Sequence, residues 1–265
     1  MLDRARYGLY PPGSTFKLVT ASAALREGDE LAATTFTCSR LPDGRVGARI
    51  PGRGRPIRDD ILESHPHGSI DLHAGLVRSC NAYFGQLAVK LGPGPLLAAA
   101  AQLGIQLTQA SDLRARVDAT LPQIGYGQGD VVATPLRMAR VAASIASDGI
   151  LRDVSWQKSR SEGEKGVFLN PPSARVLGRY MRDAVLIGTG RSLRDHPARI
   201  AGKTGTAELS GKPSHSWFVG FAPYGASTRR IAFAVIIENA GYGSANAVPA
   251  AGEIVAAAAA AGLIK

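Results

Sequence analysis

Cysteine is scarce in this chain of 265 residues: Cys38 and Cys80 are the only two. That is too few for a disulfide framework or a four-ligand zinc site, so no fold stapled by metal or disulfides is expected. No apolar run reaches the roughly 18 residues of a membrane span. None of signal-peptide length follows Met1 either, since the chain leads straight into Tyr10-Pro11-Pro12-Gly13. Lysine is also rare, at seven residues, so the net charge of +10 comes from arginine. Aromatic residues make up 6%, and none lies between Leu41 and Glu63, where Arg45, Arg49, Arg53, Arg55 and Arg58 cluster among glycines and prolines. A single-strand nucleic-acid surface interleaves aromatics for stacking, so no nucleic-acid partner is expected. The cluster reads as a solvated loop, with contact to an anionic envelope polymer or lipid headgroups as the alternative.

Several common signatures are missing as well. Gly202-Lys203-Thr204 resembles the end of a phosphate-binding loop, but Pro197 stands where that loop needs glycine. Gly125, Gly127 and Gly129 do not make a dinucleotide fingerprint, and no serine sits in a G-x-S-x-G elbow. His65, His67 and His73 have no cysteine close in sequence, so they read as a polar loop rather than a metal site.

What is present is ordinary globular composition, 45% hydrophobic and 20% charged. Apolar spacing after Ser14 predicts a helix that starts there. Residues 30–70 read as a turn-rich excursion. Helical stretches follow from Asp71 towards Ser79, over Asn81–Leu91 and over Pro95–Leu103. Thr134-Pro135 and Asn170-Pro171 each supply a cap followed by proline at the first helical position. Ile200–Glu208, Trp217–Ala222 and Ile231–Glu238 read as an antiparallel three-strand meander, and an Ala-rich helix, about 247–263, would cover one face. The class is α+β: an antiparallel sheet flanked by helices, a helical lobe over roughly 60–150 and strands over roughly 199–239, all in one domain.

Three short motifs carry chemistry. Ser14-Thr15-Phe16-Lys17 is S-x-x-K, Ser79-Cys80-Asn81 is S-x-N, and Lys203-Thr204-Gly205 is K-T-G. Each arises by chance, and second copies exist at Ser155–Lys158 and Ser244–Asn246. Only the Ser14, Ser79 and Lys203 copies fall in the order S-x-x-K, S-x-N, K-T-G, and only Ser14 follows a Pro-Pro-Gly turn. Ser14 and Lys17 share one helix face, so the amine can act as base for the hydroxyl. Burial and a neighbouring cation, Lys203, would lower the Lys17 pKa. The helix N-terminus supplies one oxyanion donor and the Thr206 amide a second. Lys203 and Thr204 would hold a substrate carboxylate, while Gly205 would let a substrate backbone approach the strand. Ser79 can relay a proton, and Asn81 can bond Lys17 and a substrate amide.

On these residues the chain resembles the transpeptidase domain of class B penicillin-binding proteins. The likeness extends to Tyr10–Lys17, Gly127-Gln-Gly129 with Thr134-Pro135-Leu136, Ala201–Glu208 and Trp217–Pro223. It implies a serine D,D-transpeptidase that cross-links peptidoglycan stem peptides through a Ser14 acyl-enzyme, is trapped by β-lactams and needs no cofactor. It also implies a sheet of about five strands, a site at the outer face of the cytoplasmic membrane, and a membrane glycosyltransferase partner reached through an N-terminal region. Thirteen residues precede Ser14, so the chain is expected to be a C-terminal piece of a longer protein or to have a miscalled start. The alternatives are a β-lactamase or D,D-carboxypeptidase, for which no water-activating base is identifiable, and a non-catalytic penicillin sensor or scaffold.

Overall fold

The computed structural model describes residues 2–107, 113–155, 165–227 and 229–265. One helical turn, α1 (Arg4–Tyr7), leads into a 3-10 turn (Gly13–Phe16) that runs on as α2 (Lys17–Glu27). Ser14 therefore lies in a tighter turn than the expected helix start. Gly13 permits it: its φ is +53°, and a Cβ there would lie 2.7 Å from the Thr206 carbonyl oxygen. Every residue of α2 from Lys17 to Leu25 is buried, so α2 is a core helix.

Residues 30–70 depart from expectation. After α3 (Asp29–Ala32) they form β1 (Phe36–Arg40), β2 (Val46–Ala48), β3 (Ile57–Arg58) and β4 (Gly68–Ile70). These pair antiparallel in the order β3-β2-β1-β4. Strands of two to five residues are too short to show a readable period-2 pattern, which is why the sequence reads as turns.

Helices dominate the middle of the chain. α4 (Leu72–Arg78) is capped by Asp71, whose carboxylate accepts from Ala74 N at 2.8 Å. α5 (Asn81–Leu91), α6 (Pro93–Gln102) and α7 (Leu113–Gly125) follow, and β5 (Gln106–Leu107) pairs with β6 (Val131–Val132) beside them. α8 (Pro135–Ala146) and α9 (Pro171–Leu186) begin where their caps predict, the Thr134 and Asn170 side chains accepting from Arg137 N and Ser173 N. β7 (Ile150–Arg152) and β8 (Lys165–Val167) pair between them. The rival S-x-x-K ends at Lys158, outside the described residues.

The C-terminal meander is as read from the sequence. β9 (Ala201–Leu209), β10 (Lys212–Ala222) and β11 (Ile231–Ile237) are antiparallel in the order β11-β10-β9. α10 (Ala247–Ala260) covers one face, burying Val248, Ala251 and Val255 with Phe218 and Phe233. Trp217, Val219 and Phe221 join the larger core with Leu177 and Met181 of α9. The described residues supply three strands to this sheet rather than about five, and β9 lies at its edge. Among the described residues no helix is long and apolar enough to cross a membrane.

Candidate active site

The three motifs meet. Ser14 on the 3-10 turn, Ser79 and Asn81 between α4 and α5, and Thr204, Gly205 and Thr206 on β9 line one cleft of about 790 Å³. Two lysines bonded to its serines, Lys17 and Lys203, are both fully buried.

The Ser14 turn is braced from three sides. Trp217 Nε1 donates to Pro11 O at 3.1 Å, Thr15 Oγ1 to Pro12 O at 2.7 Å, and Gly13 N to Gly127 O at 3.0 Å. Gly127 has φ +82°, and a Cβ there would lie 1.9 Å from Gly13 O. The Gly127-Gln-Gly129 segment is therefore the backbone seat of the Ser14 turn.

Lys17 Nζ is the hub of the site. It donates to Ser14 Oγ at 3.0 Å, Asn81 Oδ1 at 2.7 Å, Ser79 O at 2.5 Å and Ser79 Oγ at 3.2 Å. Lys203 Nζ reaches the same Ser79 Oγ at 2.8 Å and the Thr204 carbonyl at 3.1 Å. Ser79 can face both amines because it closes α4 in the left-handed region, at φ +61° and ψ +36°, a costly backbone state for a residue with a Cβ.

Burial pushes the Lys17 ammonium down to about 8, against the opposing pull of Asp59, Cys80 and Asp60. Burial, with the Lys17 charge adding to it, pushes Lys203 well below its ordinary value. Sequence reasoning ran the charge effect the other way, from Lys203 onto Lys17. Sharing one hydroxyl places the amines within about 6 Å of each other. Two unit charges at that distance repel by about 3 kcal/mol at an effective dielectric near 20, which disfavours protonation of both amines at once.

Two further expectations are corrected. Lys203 does not present its amine to the cleft: it is fully buried and turned to Ser79. The cleft wall there is formed instead by Thr204, whose hydroxyl meets that of Thr189 at 2.6 Å. Gly205 is required from the opposite side to the one expected. A Cβ there would meet Thr15 Cγ2 at 2.8 Å and Trp217 Cβ at 3.0 Å, so the absent side chain makes room for the Ser14 turn.

Asp59 was missed by sequence reasoning. Its Oδ1 accepts from the backbone amides of Asn81 and, at 3.0 Å, Ala82, capping α5 from another segment. Its own burial pushes the carboxyl up, but His67, the Lys17 charge and the thiols of Cys38 and Cys80 outweigh that and hold it at about 2. No sequence motif marks it, since its partners come from several separate segments of the chain.

Nor is His67 part of a plain polar loop. His65 is exposed and His73 bonds Asp183 at 2.9 Å, but the His67 side chain is only 6% exposed and packs beside Asp59. Cys38, Asp59, His67 and Cys80 place one potential ligand atom each within 4.8 Å of one another. The two cysteines are far from the histidine in sequence and adjacent to it in space, so the expectation of no metal-ligand set is corrected. The arginine cluster is partly built into this region: Arg45 donates to Asp59 O at 2.9 Å, and Arg58 pairs with Asp43 at 2.7 Å.

Known proteins resemble this chain in sequence and in fold. Residues 1–257 match the family model described as the penicillin binding protein transpeptidase domain. The peptidoglycan D,D-transpeptidase PbpA of Mycolicibacterium smegmatis is 30% identical over 267 residues, covering 91% of this chain and 52% of the relative. The peptidoglycan D,D-transpeptidase MrdA of Acinetobacter baumannii is 28% identical over 292 residues, covering 93% and 42%. The structure of penicillin-binding protein A from M. tuberculosis as an imipenem acyl-enzyme superposes with a TM-score of 0.76 at 28% identity, covering 94% of this chain and 60% of that one. The chain thus spans about half the length of the curated relatives it matches. With the family model matched along nearly all its length and the three motifs gathered at one cleft, the chain belongs to the penicillin-binding protein transpeptidase family.

Proposed function

We propose that the chain is one transpeptidase domain whose activity is serine D,D-transpeptidation of peptidoglycan stem peptides. The observation that carries the reading is Lys17 Nζ, 3.0 Å from Ser14 Oγ, in a site that favours its neutral form near pH 8. A neutral amine at that distance can take the hydroxyl proton as the oxygen attacks.

The edge of β9 offers backbone groups to an extended peptide laid along the cleft as an added strand. Ser14 Oγ attacks the penultimate D-Ala carbonyl, and its proton passes to Lys17. The amides of Ser14 and Thr206 face the developing oxyanion. The C–N bond then breaks, and the leaving amine of the terminal D-Ala takes a proton through Ser79 from the lysine pair. An amine on a second stem attacks the ester carbonyl, gives its proton back through Lys17 and leaves Ser14 free. Thr204 and Thr206 hydroxyls fit the terminal carboxylate, and the Asn81 amide holds Lys17 through Oδ1.

β-Lactams would acylate the same oxygen. The reading places the domain at the outer face of the cytoplasmic membrane, in partnership with a membrane glycosyltransferase. One solved relative of 29% identity belongs to a peptidoglycan synthase complex that couples polymerization and crosslinking, which supports that placement. The test is covalent labelling by a fluorescent penicillin, with mass spectrometry of the adduct. Wild type acquires one adduct on Ser14 and Ser14→Ala acquires none. Labelling of the variant, or many turnovers of penicillin hydrolysis by wild type, overturns the reading.

A further inference from the structure

A side groove of about 570 Å³ opens from the cleft past Thr189. Arg78 and Thr189 line both spaces, while Arg191 and the exposed Ile187 line the groove alone. We propose that this groove takes the acceptor stem peptide and that Arg78 and Arg191 hold its carboxylates. The inference rests on the transpeptidase reading and adds to it the place and the charge of the second substrate.

The two arginines stand on elements that are locked together. Arg78 ends α4, and Arg191 opens a 3-10 turn, Arg191–Leu193. A Cβ on Gly188 would lie 2.5 Å from the Val77 carbonyl oxygen, so the segment before Arg191 packs directly on the end of α4. His73 meets Asp183 at 2.9 Å and ties α4 to α9. Both guanidinium groups are exposed, and neither has an ion-pair or hydrogen-bond partner among the described residues. The other arginines of the cleft differ in this respect, since Arg45 donates to Asp59 O and Arg58 pairs with Asp43. The one acidic residue along the groove, Glu63, is already engaged by His67 Nε2 at 3.2 Å. Two free guanidinium groups are left. Each is a permanently charged fork that matches a carboxylate.

The reaction itself says which substrate enters here. Thr189 Oγ1 meets Thr204 Oγ1 at 2.6 Å, so the groove begins at the end of the cleft that takes the terminal D-Ala of the donor. The leaving amine departs from that end, and the acceptor amine attacks from the place it vacates. The new C–N bond forms as the ester C–Oγ bond breaks. The amine proton passes to Lys17, which returns one to Ser14 Oγ. The donor lies along β9, so the body of the acceptor must leave the cleft past Thr189, along the groove. A side-chain amine carried on methylenes can lie against Ile187, 71% exposed, while the acids of the same peptide meet the arginines. Those acids are the free carboxylate of a γ-linked glutamate and the C-terminal carboxylate. Anchoring the acceptor away from the reacting atoms aligns its amine without a further catalytic group.

The probe is the tripeptide L-Ala-γ-D-Glu-L-Lys with a dye on its N-terminus. It lacks D-Ala-D-Ala and cannot act as donor. Fluorescence anisotropy with the full chain should show it binding at least about tenfold more tightly than its diamide. The two monoamides tell which carboxylate is read. Arg78→Gln and Arg191→Gln should each cut that preference at least about threefold, and the double variant should abolish it. Arg78→Lys and Arg191→Lys keep the charge without the fork and should fall between. Arg49→Gln makes the same charge change on the loop between β2 and β3 and should leave the preference intact. Equal affinity for acid and diamide, no measurable binding at millimolar concentration, a preference that survives in the double variant, or an equal fall in Arg49→Gln would each overturn the proposal. Penicillin labelling of the same samples separates the two readings. A labelled wild type without an acid preference overturns the groove alone. An arginine-dependent preference in a chain that does not label keeps the carboxylate site and overturns the enzymatic reading.

Discussion

Replacing Ser79 by alanine removes one oxygen atom and tests the whole proton path. Its hydroxyl accepts from Lys203 at 2.8 Å and from Lys17 at 3.2 Å. Lys17 would keep Ser14, the Ser79 carbonyl and Asn81 as acceptors, whereas Lys203 would keep the Thr204 carbonyl alone among the described residues. A buried donor stripped of its partner costs about 1–3 kcal/mol. For a chain of this size each kcal/mol shifts the melting temperature by roughly 2–4 °C. The backbone effect adds to this, though modestly, because alanine in the left-handed region loses nothing sterically that serine did not already bear. Chemistry suffers more. Without the bridge no group links the two amines to the leaving nitrogen, and a positioned acid or base is worth about 10²–10⁴ in rate. The expected outcome is a fold that melts a few degrees lower and an acylation rate reduced by at least about 10². Stopped-flow labelling with a fluorescent penicillin, followed by calorimetry on the same sample, reads both. Acylation within threefold of wild type, with melting lowered as expected, would refute the relay and leave Ser79 a purely structural bridge.

Other outcomes follow from the same geometry. Because burial lowers the Lys17 pKa to about 8, its amine is protonated below that pH and free above it. The acylation rate should therefore climb about tenfold between roughly pH 7 and pH 9 and then level off. A flat profile across that range would remove Lys17 as the base. Gly127→Ala would drive a Cβ to 1.9 Å from the Gly13 carbonyl at φ +82°. Strain of this kind costs about 2–4 kcal/mol and should lower the urea midpoint and slow acylation together. Trp217→Phe loses the bond from Nε1 to the Pro11 carbonyl, worth about 1 kcal/mol. It should slow acylation more than it lowers the melting temperature, since the bond braces the Ser14 turn directly.

How much of this was legible depends on the distance over which each signal acts. Caps are local, so Thr134-Pro135 and Asn170-Pro171 mark α8 and α9 to the residue. The strand-like segments between turn residues over 201–237 mark β9 to β11 because each strand is seven residues or more. β1 to β4 were lost to their shortness. The three motifs were legible because S-x-x-K, S-x-N and K-T-G impose fixed local spacing, and their order along the chain picked out the copies that meet at one cleft. Asp59 and His67 were not, because their roles arise from segments that meet only when β1 to β4 fold. The direction of a glycine's missing Cβ is equally invisible in sequence, which is why Gly205 was assigned to substrate and belongs to Thr15 and Trp217.

The tripeptide Ser79-Cys80-Asn81 shows why these two classes of residue should not be treated apart. Ser79 and Asn81 turn their side chains to Lys17, while Cys80 between them turns to Asp59. Asp59 in turn holds the amides of Asn81 and Ala82. A displacement of Cys80 therefore moves Ser79 and Asn81 with it, and with them three of the four acceptors around the Lys17 amine. The base is set by burial, but its aim at Ser14 is set by that turn. The turn is held from behind by a cluster of acid, imidazole and thiols that touches neither Ser14 nor β9. Changes in that cluster should appear first as altered acylation rates at unchanged nucleophile identity, which separates a positioning fault from the loss of a catalytic group.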